Sequence, residues 1–274
     1  MGPGIRFPPD PVSCLGVRRI RWLAAPFVAL ALGCATPQPA GKTVLAQSPS
    51  ETIVLLPLNV TTAMPEELKA ESPLVWHELK LYLLAHGASL KTLPFQTARS
   101  FWIDSIREAR AGAAGPKAGF TEAARIFVAK VAPHAKFGSV IIPSLFVQGA
   151  EVEGWNASWD GIERSVTIDP GHWADAVGAD TPFGGAVPAA SLHAAVLDEH
   201  GEVIQQNQAG LALLVSIRLA GRPGLGPPRI EVVNLPEALA NRESILEGIA
   251  RALAPFLSPL PAKAIPAEAP GGEG

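Results

Sequence analysis

Histidines are the first residues to weigh as metal ligands or bases, and the chain has six. His77 and His86 stand nine apart on one predicted helix. That is about two and a half turns, so they face opposite sides and cannot share a metal. His134, His172, His193 and His200 are scattered, with no His or Cys at ligand spacing. Asp198-Glu199-His200 precedes Gly201 and reads as a turn. The stretch GAAGPKAG, Gly112–Gly119, superficially matches a phosphate loop. It lacks the Gly-Lys-Ser/Thr ending and joins two helices instead of following a strand. No G-x-S-x-G elbow is present. Asp160 with Glu163, and Asp175 with Asp180, are acid pairs in glycine-rich stretches, where carboxylates are ordinarily just solvated. These residues predict no catalytic set, no metal site and no cofactor.

The tryptophans say more. Three of the six, Trp155, Trp159 and Trp173, fall in or beside 149–190. A loop gains nothing from indoles unless something covers them, and the cover is either the domain's own sheet or a partner. They are the expected partner surface, with the sheet as the alternative.

Of the two cysteines, Cys14 lies early and Cys34 ends an apolar run. From Val17 the order is VRRIRW, LAAPFVALAL, then Gly-Cys. That is a positive region, about ten apolar residues and a small residue before a cleavage point, the layout of an export signal. The run is too short to span a bilayer, which needs roughly 20 residues. Ala31-Leu32-Gly33-Cys34 resembles the lipobox of bacterial lipoproteins. The resemblance implies removal of 1–33 and acylation of Cys34, a palmitate-type anchor in the membrane. Ala35 is not the Asp that favours inner-membrane retention in enterobacteria, so the outer membrane, periplasmic face, is the implied destination. The mature chain then keeps one cysteine and forms no internal disulfide.

Composition agrees with a folded, non-nucleic-acid-binding body. Apolar residues make up 48%, enough for a core. The formal charge is -3, and loss of 1–33 removes four arginines and one aspartate, leaving about -6. Such a chain, with no Lys/Arg cluster, lacks the basic footprint of a nucleic-acid binder. Residues 34–50 read as a lipidated flexible linker, 51–258 as one domain and 259–274 as a disordered tail.

The elements of that domain alternate in period. Thr52–Leu58, TIVLLPL, is a continuous apolar run suited to a central strand. A helix ends near His86, before Gly87, with Val75, Leu79, Tyr82, Leu83 and His86 on one face. Ala88–Leu93 is a short strand. Ala98, Phe101, Trp102, Ile106 and Ala109 make one helical stripe, and Ala124, Phe127, Val128 and Val131 a second. Gly138–Val147 is a buried strand whose Pro143 requires an edge position or a bulge. One strand is expected near Ile162–Ile168, then a Gly/Pro-rich insertion over 169–190. SLHAAVLD and EVIQQNQAGLALLVSIRL form a hairpin, with Gln205 and Asn207 on one face and Gln206 and Gln208 on the other. Its polar middle is expected to be partly exposed. A final amphipathic helix carries Ala238, Ile245, Leu246, Ile249, Leu253 and Phe256.

The predicted class is α/β (α+β): a mixed sheet with an antiparallel meander, two to three early helices and one late helix. With IVLLPLNV, LLAHGASLKTL, FGSVIIPSLFVQG and AVLDEHGEVI in this order, the sequence resembles a group of envelope lipoprotein domains. They are the curli-secretion pores, the penicillin-binding-protein activators and the N-terminal domain of TolB. The resemblance spans about Thr52–Leu257. It implies a lipid-anchored, periplasm-facing binding or scaffold protein of the cell envelope, without catalysis, held by the membrane and an envelope protein partner. Alternatives are a subunit of a secretion pore or envelope assembly, and an enzyme acting on envelope substrates.

Overall fold

The computed structural model describes residues 52–112, 119–171, 184–221 and 229–257. All of them belong to one compact unit, Lys42–Gly274. Cys34, the linker, the tail, Trp173, and Asp175 with Asp180 lie outside the described residues.

The fold is mixed α/β. Strand β1 (Thr52–Leu55) leads to helix α1 (Ser72–Ala85) and strand β2 (Ser89–Thr92). Gly87, at φ 76°, closes α1 in the left-handed conformation that a glycine adopts freely. Helices α2 (Phe95–Ala111) and α3 (Phe120–Val131) follow, then the long strand β3 (Ser139–Glu153). β1 pairs in parallel with β2 and β3, and β3 pairs along its whole length with antiparallel β7 (Gly184–Asp198). β8 (Val203–Leu213) continues the meander on the far side of β7.

This sheet is covered on both faces. α1 and α4 (Arg242–Leu253) lie on one, over Leu55, Ile141, Leu145, Leu192 and Leu211. α2 and α3 lie on the other, over Val54, Leu56, Val140, Ile142, Ala195 and Leu197. The alternation of β3 and β7 accounts for the division, since successive side chains point to opposite faces. The predicted helical stripes are the ones that meet the sheet: Ala98, Trp102 and Ala109 in α2, and Ala124, Phe127, Val128 and Val131 in α3, are all buried.

Pro143 is accommodated without a bulge. Asn59 N–H donates to the Pro143 carbonyl at 3.1 Å, so Pro143's nitrogen also faces the β1 side. β1 has already stopped pairing there, and no ladder bond is lost. The chain leaves the sheet at Asn59, which adopts φ 58°. Its carboxamide stays behind in place of a strand: Oδ1 accepts from Leu145 N–H and Nδ2 donates to Leu145 O, both at 2.8 Å.

The second half of the domain differs from the sequence expectation in three places. Where one strand was expected over 162–168, there is a hairpin, β4 (Asn156–Trp159) and β5 (Ile162–Ser165). Its turn is Asp160-Gly161, with φ 43° and 74°, the pair that a tight two-residue hairpin favours. Second, the 169–190 insertion is not a loop throughout, because Gly184–Ala190 is the start of β7. Third, the last long strand divides at Leu214. β9 (Val215–Ala220) belongs to a separate three-stranded sheet with β10 (Arg229–Asn234) and short β6 (Ile168–Asp169). Together with β4 and β5 it encloses a small third core of Val152, Trp159, Ile162, Val187, Leu213 and Ile217.

The polar middle of β8 is half used inside the fold. Buried Gln205 donates to Ala252 O at 3.0 Å and accepts from Phe256 N–H at 2.7 Å, and Asn207 bonds the Ala254 carbonyl. These are backbone groups at the C-terminal end of α4, where a helix has unpaired carbonyls. The other face of β8 forms the floor of the site described next.

Candidate functional site

Helices α2 and α3 cover only one end of their sheet face. The covered rows are apolar, and Ile142 of β3 lies beside Ala195 of β7. One row further along, Ser144 pairs with His193, and His193 pairs with Gln208 of β8. The face turns polar where the helices stop. Above the polar row is a cleft of about 580 Å³, a size suited to a small ligand or a few residues of a chain.

The cleft has two kinds of wall. Trp102, Ile106 and Ala109 of α2 and Phe120 and Ala123 of α3 make an apolar side. The sheet gives Ser144, Phe146, His193, Gln206 and Gln208, and the Thr61–Ala63 segment closes a rim. That rim exists because Asn59 turns the chain out of β1. Thr61 and Ser144 hydroxyls lie 3.3 Å apart. Arg110 supplies the one formally charged side chain among the lining residues. Trp102 is 5% exposed, and its indole N–H is buried without a partner.

At the far end, the β4–β5 turn brings Asp160 onto the polar face. Gln208 Nε2 donates to Asp160 Oδ1 at 2.7 Å. Gln148 Nε2 bonds the other Asp160 oxygen and lies 3.3 Å from Ser191 Oγ. His193 is half-buried, and loss of solvent lowers the pKa of its imidazole below the usual 6.5. Gln206 Nε2 sits 3.0 Å from His193 Nε2, a contact that a neutral imidazole can accept.

Ser144 and His193 line the cleft and Asp160 stands behind Gln208, but the three are not wired as a hydrolytic triad. Ser144 bonds Thr61, His193 bonds Gln206, and Asp160 bonds Gln148 and Gln208. Among the described residues no hydrogen bond runs from Ser144 to His193 or from His193 to Asp160, the two links such catalysis uses. Among the described residues no group of three or more His, Cys, Asp or Glu side chains is placed to hold a metal.

Of the residues expected from sequence as a partner surface, Trp155 and Trp159 lie among the described residues. Trp159 is 6% exposed, and its Nε1 donates to Ala190 O at 3.2 Å within the third core. It is corrected from partner contact to core residue, because the Asp160-Gly161 turn folds the indole back onto the sheet. Trp155 is half-buried against the same core, and Trp173 and the lipidation residue Cys34 are outside the described residues. Asp198, His200 and Gly201 do form the turn that the sequence suggests, with Asp198 Oδ1 accepting from His200 and Glu202 N–H groups. Gln206 and Gln208 were legible as one polar face of a strand. Ser144, His193 and Thr61 were not legible as neighbours, since only the strand register joins them.

No family model and no curated protein matches this chain.

Proposed function

We propose that this chain is a lipid-anchored, periplasm-facing protein of the bacterial cell envelope that binds another envelope component through the α2–α3 cleft and catalyses nothing itself. The observation that carries the reading is the wiring of the cleft. Its hydroxyl, imidazole, carboxamide and carboxylate groups bond one another in pairs that hold a fixed surface, and none of the pairs activates a nucleophile. The anchor is supplied by the signal and lipobox-like residues ending at Cys34, and 35–50 gives a tether of roughly 50 Å when extended. Such a tether lets the domain reach a component away from the lipid surface.

Two measurements test it. The Cys34→Ala chain should remain uncleaved and take up no radiolabelled palmitate; labelling of that variant overturns the anchor. A photo-crosslinking residue at exposed Thr62, on the cleft rim, should capture an adduct in the native envelope, whereas the same residue at Glu199, on the β7–β8 turn, should not. A fluorophosphonate probe should leave Ser144 unmodified. Covalent labelling at Ser144 would instead favour the hydrolase reading, which the presence of Ser144 and His193 in one cleft keeps as the second choice.

A further inference from the structure

This inference rests on reading the cleft as a binding site and concerns what it binds. Trp102, Ile106, Ala109 and Arg110 follow one another at helical spacing, so one face of α2 gives the cleft both hydrocarbon and a guanidinium. Arg110 is exposed, and among the described residues no carboxylate pairs with it, whereas Arg107 on the same helix is paired with Asp104. None of the described lining residues is an Asp or a Glu, so the charge of Arg110 is uncompensated there. Helix α3 adds to the same sign. Gly119, Phe120 and Ala123 at its start line the cleft, and Gly119 at the N-cap brings no side chain to the free N–H groups. Helix α4, by contrast, is capped by the Asn241 side chain. Glu122, the acid of that first turn of α3, bonds Arg125 and does not line the cleft. The indole N–H of Trp102, buried at the cleft wall, is a donor only and has no partner.

These groups call for a negatively charged acceptor. One guanidinium presents a planar fork of N–H donors, which a carboxylate matches with its two oxygens. A helix N-terminus favours the same charge. Across the cleft, Thr61 and Ser144 share one hydrogen bond, which leaves one of their two hydroxyl protons to donate elsewhere. Beside these donors the wall is hydrocarbon, with the rings of Trp102 and Phe120 5.4 Å apart. A volume of about 580 Å³ suits a small molecule with one apolar body. A single cation beside that much hydrocarbon matches a monoanion. A phosphate ester, with a charge of about two, would leave part of its charge without a partner.

We propose that the cleft binds a small apolar monocarboxylate, with its carboxylate on Arg110 and the start of α3 and its hydrocarbon against α2 and Phe120. The test titrates hydrocinnamate and its uncharged amide into the full chain in nonionic detergent, with empty micelles as the reference. The acid should bind at least about tenfold more tightly than the amide, the difference one charge-assisted pair makes. Arg110→Gln, at an exposed position without an ion pair, should melt like the parent. It should bring the acid down to the affinity of the amide and leave the amide unchanged. Arg107→Gln, on the same helix but outside the cleft, should keep the full preference. Ala63→Trp, which fills the cleft from its exposed rim, should lose both ligands. Equal binding of acid and amide by the parent, or an acid preference that survives Arg110→Gln, would overturn the assignment. So would tighter binding of phenyl phosphate or of a peptide C-terminus, probed as N-acetylalanylphenylalanine. If any of these results comes with an adduct at Thr62 in the envelope, the cleft remains a binding site and only the ligand class fails. If Thr62 captures nothing and neither probe binds, the binding reading itself falls.

Discussion

Burial lowers the pKa of the His193 imidazole below its usual value. Gln206 of β8 and Ser144 of β3 are its immediate neighbours; Arg110 of α2 lines the same cleft, and Asp160 joins the floor through Gln208. The unfolded chain takes up the proton at about pH 6.5, the folded chain only at a lower pH. The unfolded state therefore binds more protons in that interval. Stability from this group is complete above about pH 6.5 and is lost as the pH falls through the lowered value. The melting temperature of the parent should drop across this window more steeply than that of His193→Gln. Parallel profiles would show that the imidazole stays solvated.

Asn59 gives a second test at the level of one side chain. It is 1% exposed and satisfies both backbone groups of Leu145. Asn59→Ala leaves a buried N–H and a buried C=O unpaired and keeps a side chain at φ 58°. A loss of about 3 kcal/mol is expected in chemical denaturation. The Thr61–Ala63 rim should loosen with it, so crosslinking from Thr62 should fall in the same variant.

Among the elements, the β4–β5 hairpin and α4 do the most to shape the site's surroundings. The hairpin carries Trp159 into the third core, and its turn sets Asp160 against Gln148 and Gln208. Trp159→Ala should cost about 3–5 kcal/mol, as loss of a large buried ring does. Trp155→Ala, at a half-buried position, should cost clearly less, and thermal melts of the two compare them directly. Helix α4 is tied to its neighbours by Arg242 on nearly buried Glu78 of α1, at 2.9 Å, and by Glu247, whose carboxyl is held below its usual pKa by a hydrogen bond from Arg164 of β5. It also approaches β8 unusually closely: a Cβ on Gly248 would stand 2.6 Å from Gly210 O. Gly248→Ala must push the helix off that strand. Since Gln205 and Asn207 bond the end of α4, β8 should shift as well, and the melting temperature should fall by several degrees, which is about 1–3 kcal/mol for a clash against backbone.

At the scale of the molecule, one sheet face has two tenants. Helices take the rows built from Val, Ile, Leu and Ala, and the remaining polar rows stay open between those helices and the β4–β5 turn. The division follows from chain length as much as from chemistry. β3 and β7 run for 15 residues each, longer than the helices above them cover. The uncovered end of α2–α3 is where a ligand has room, and an anchored tether would leave it free to meet a partner.

The sequence by itself determined the local elements with good fidelity. Period and end signals located α1 with Gly87 behind it, the stripes of α2 and α3, and the Ile245–Leu253 face of the last helix, whereas Ala238 and Phe256, expected on that face, fall in turns on either side of it. They also placed Gln206 and Gln208 on one side of a strand. These are properties of neighbours in the chain, and the repeat of a helix or strand writes them directly into residue spacing. The Asp160-Gly161 turn was equally local: Asp-Gly between Trp159 and Ile162 is a hairpin signature, and expecting a single strand from Ile162 onward missed the first arm and made Trp159 look exposed. The cleft is different in kind. Ser144, His193 and Gln208 lie far apart in sequence and meet because β3, β7 and β8 pair in one register. Nothing in the spacing of residues fixes which row of one strand lies beside which row of another. Pairing and helix packing decide that together, so only the tertiary structure could show that a serine, a histidine and a glutamine in three strands form the floor of one site.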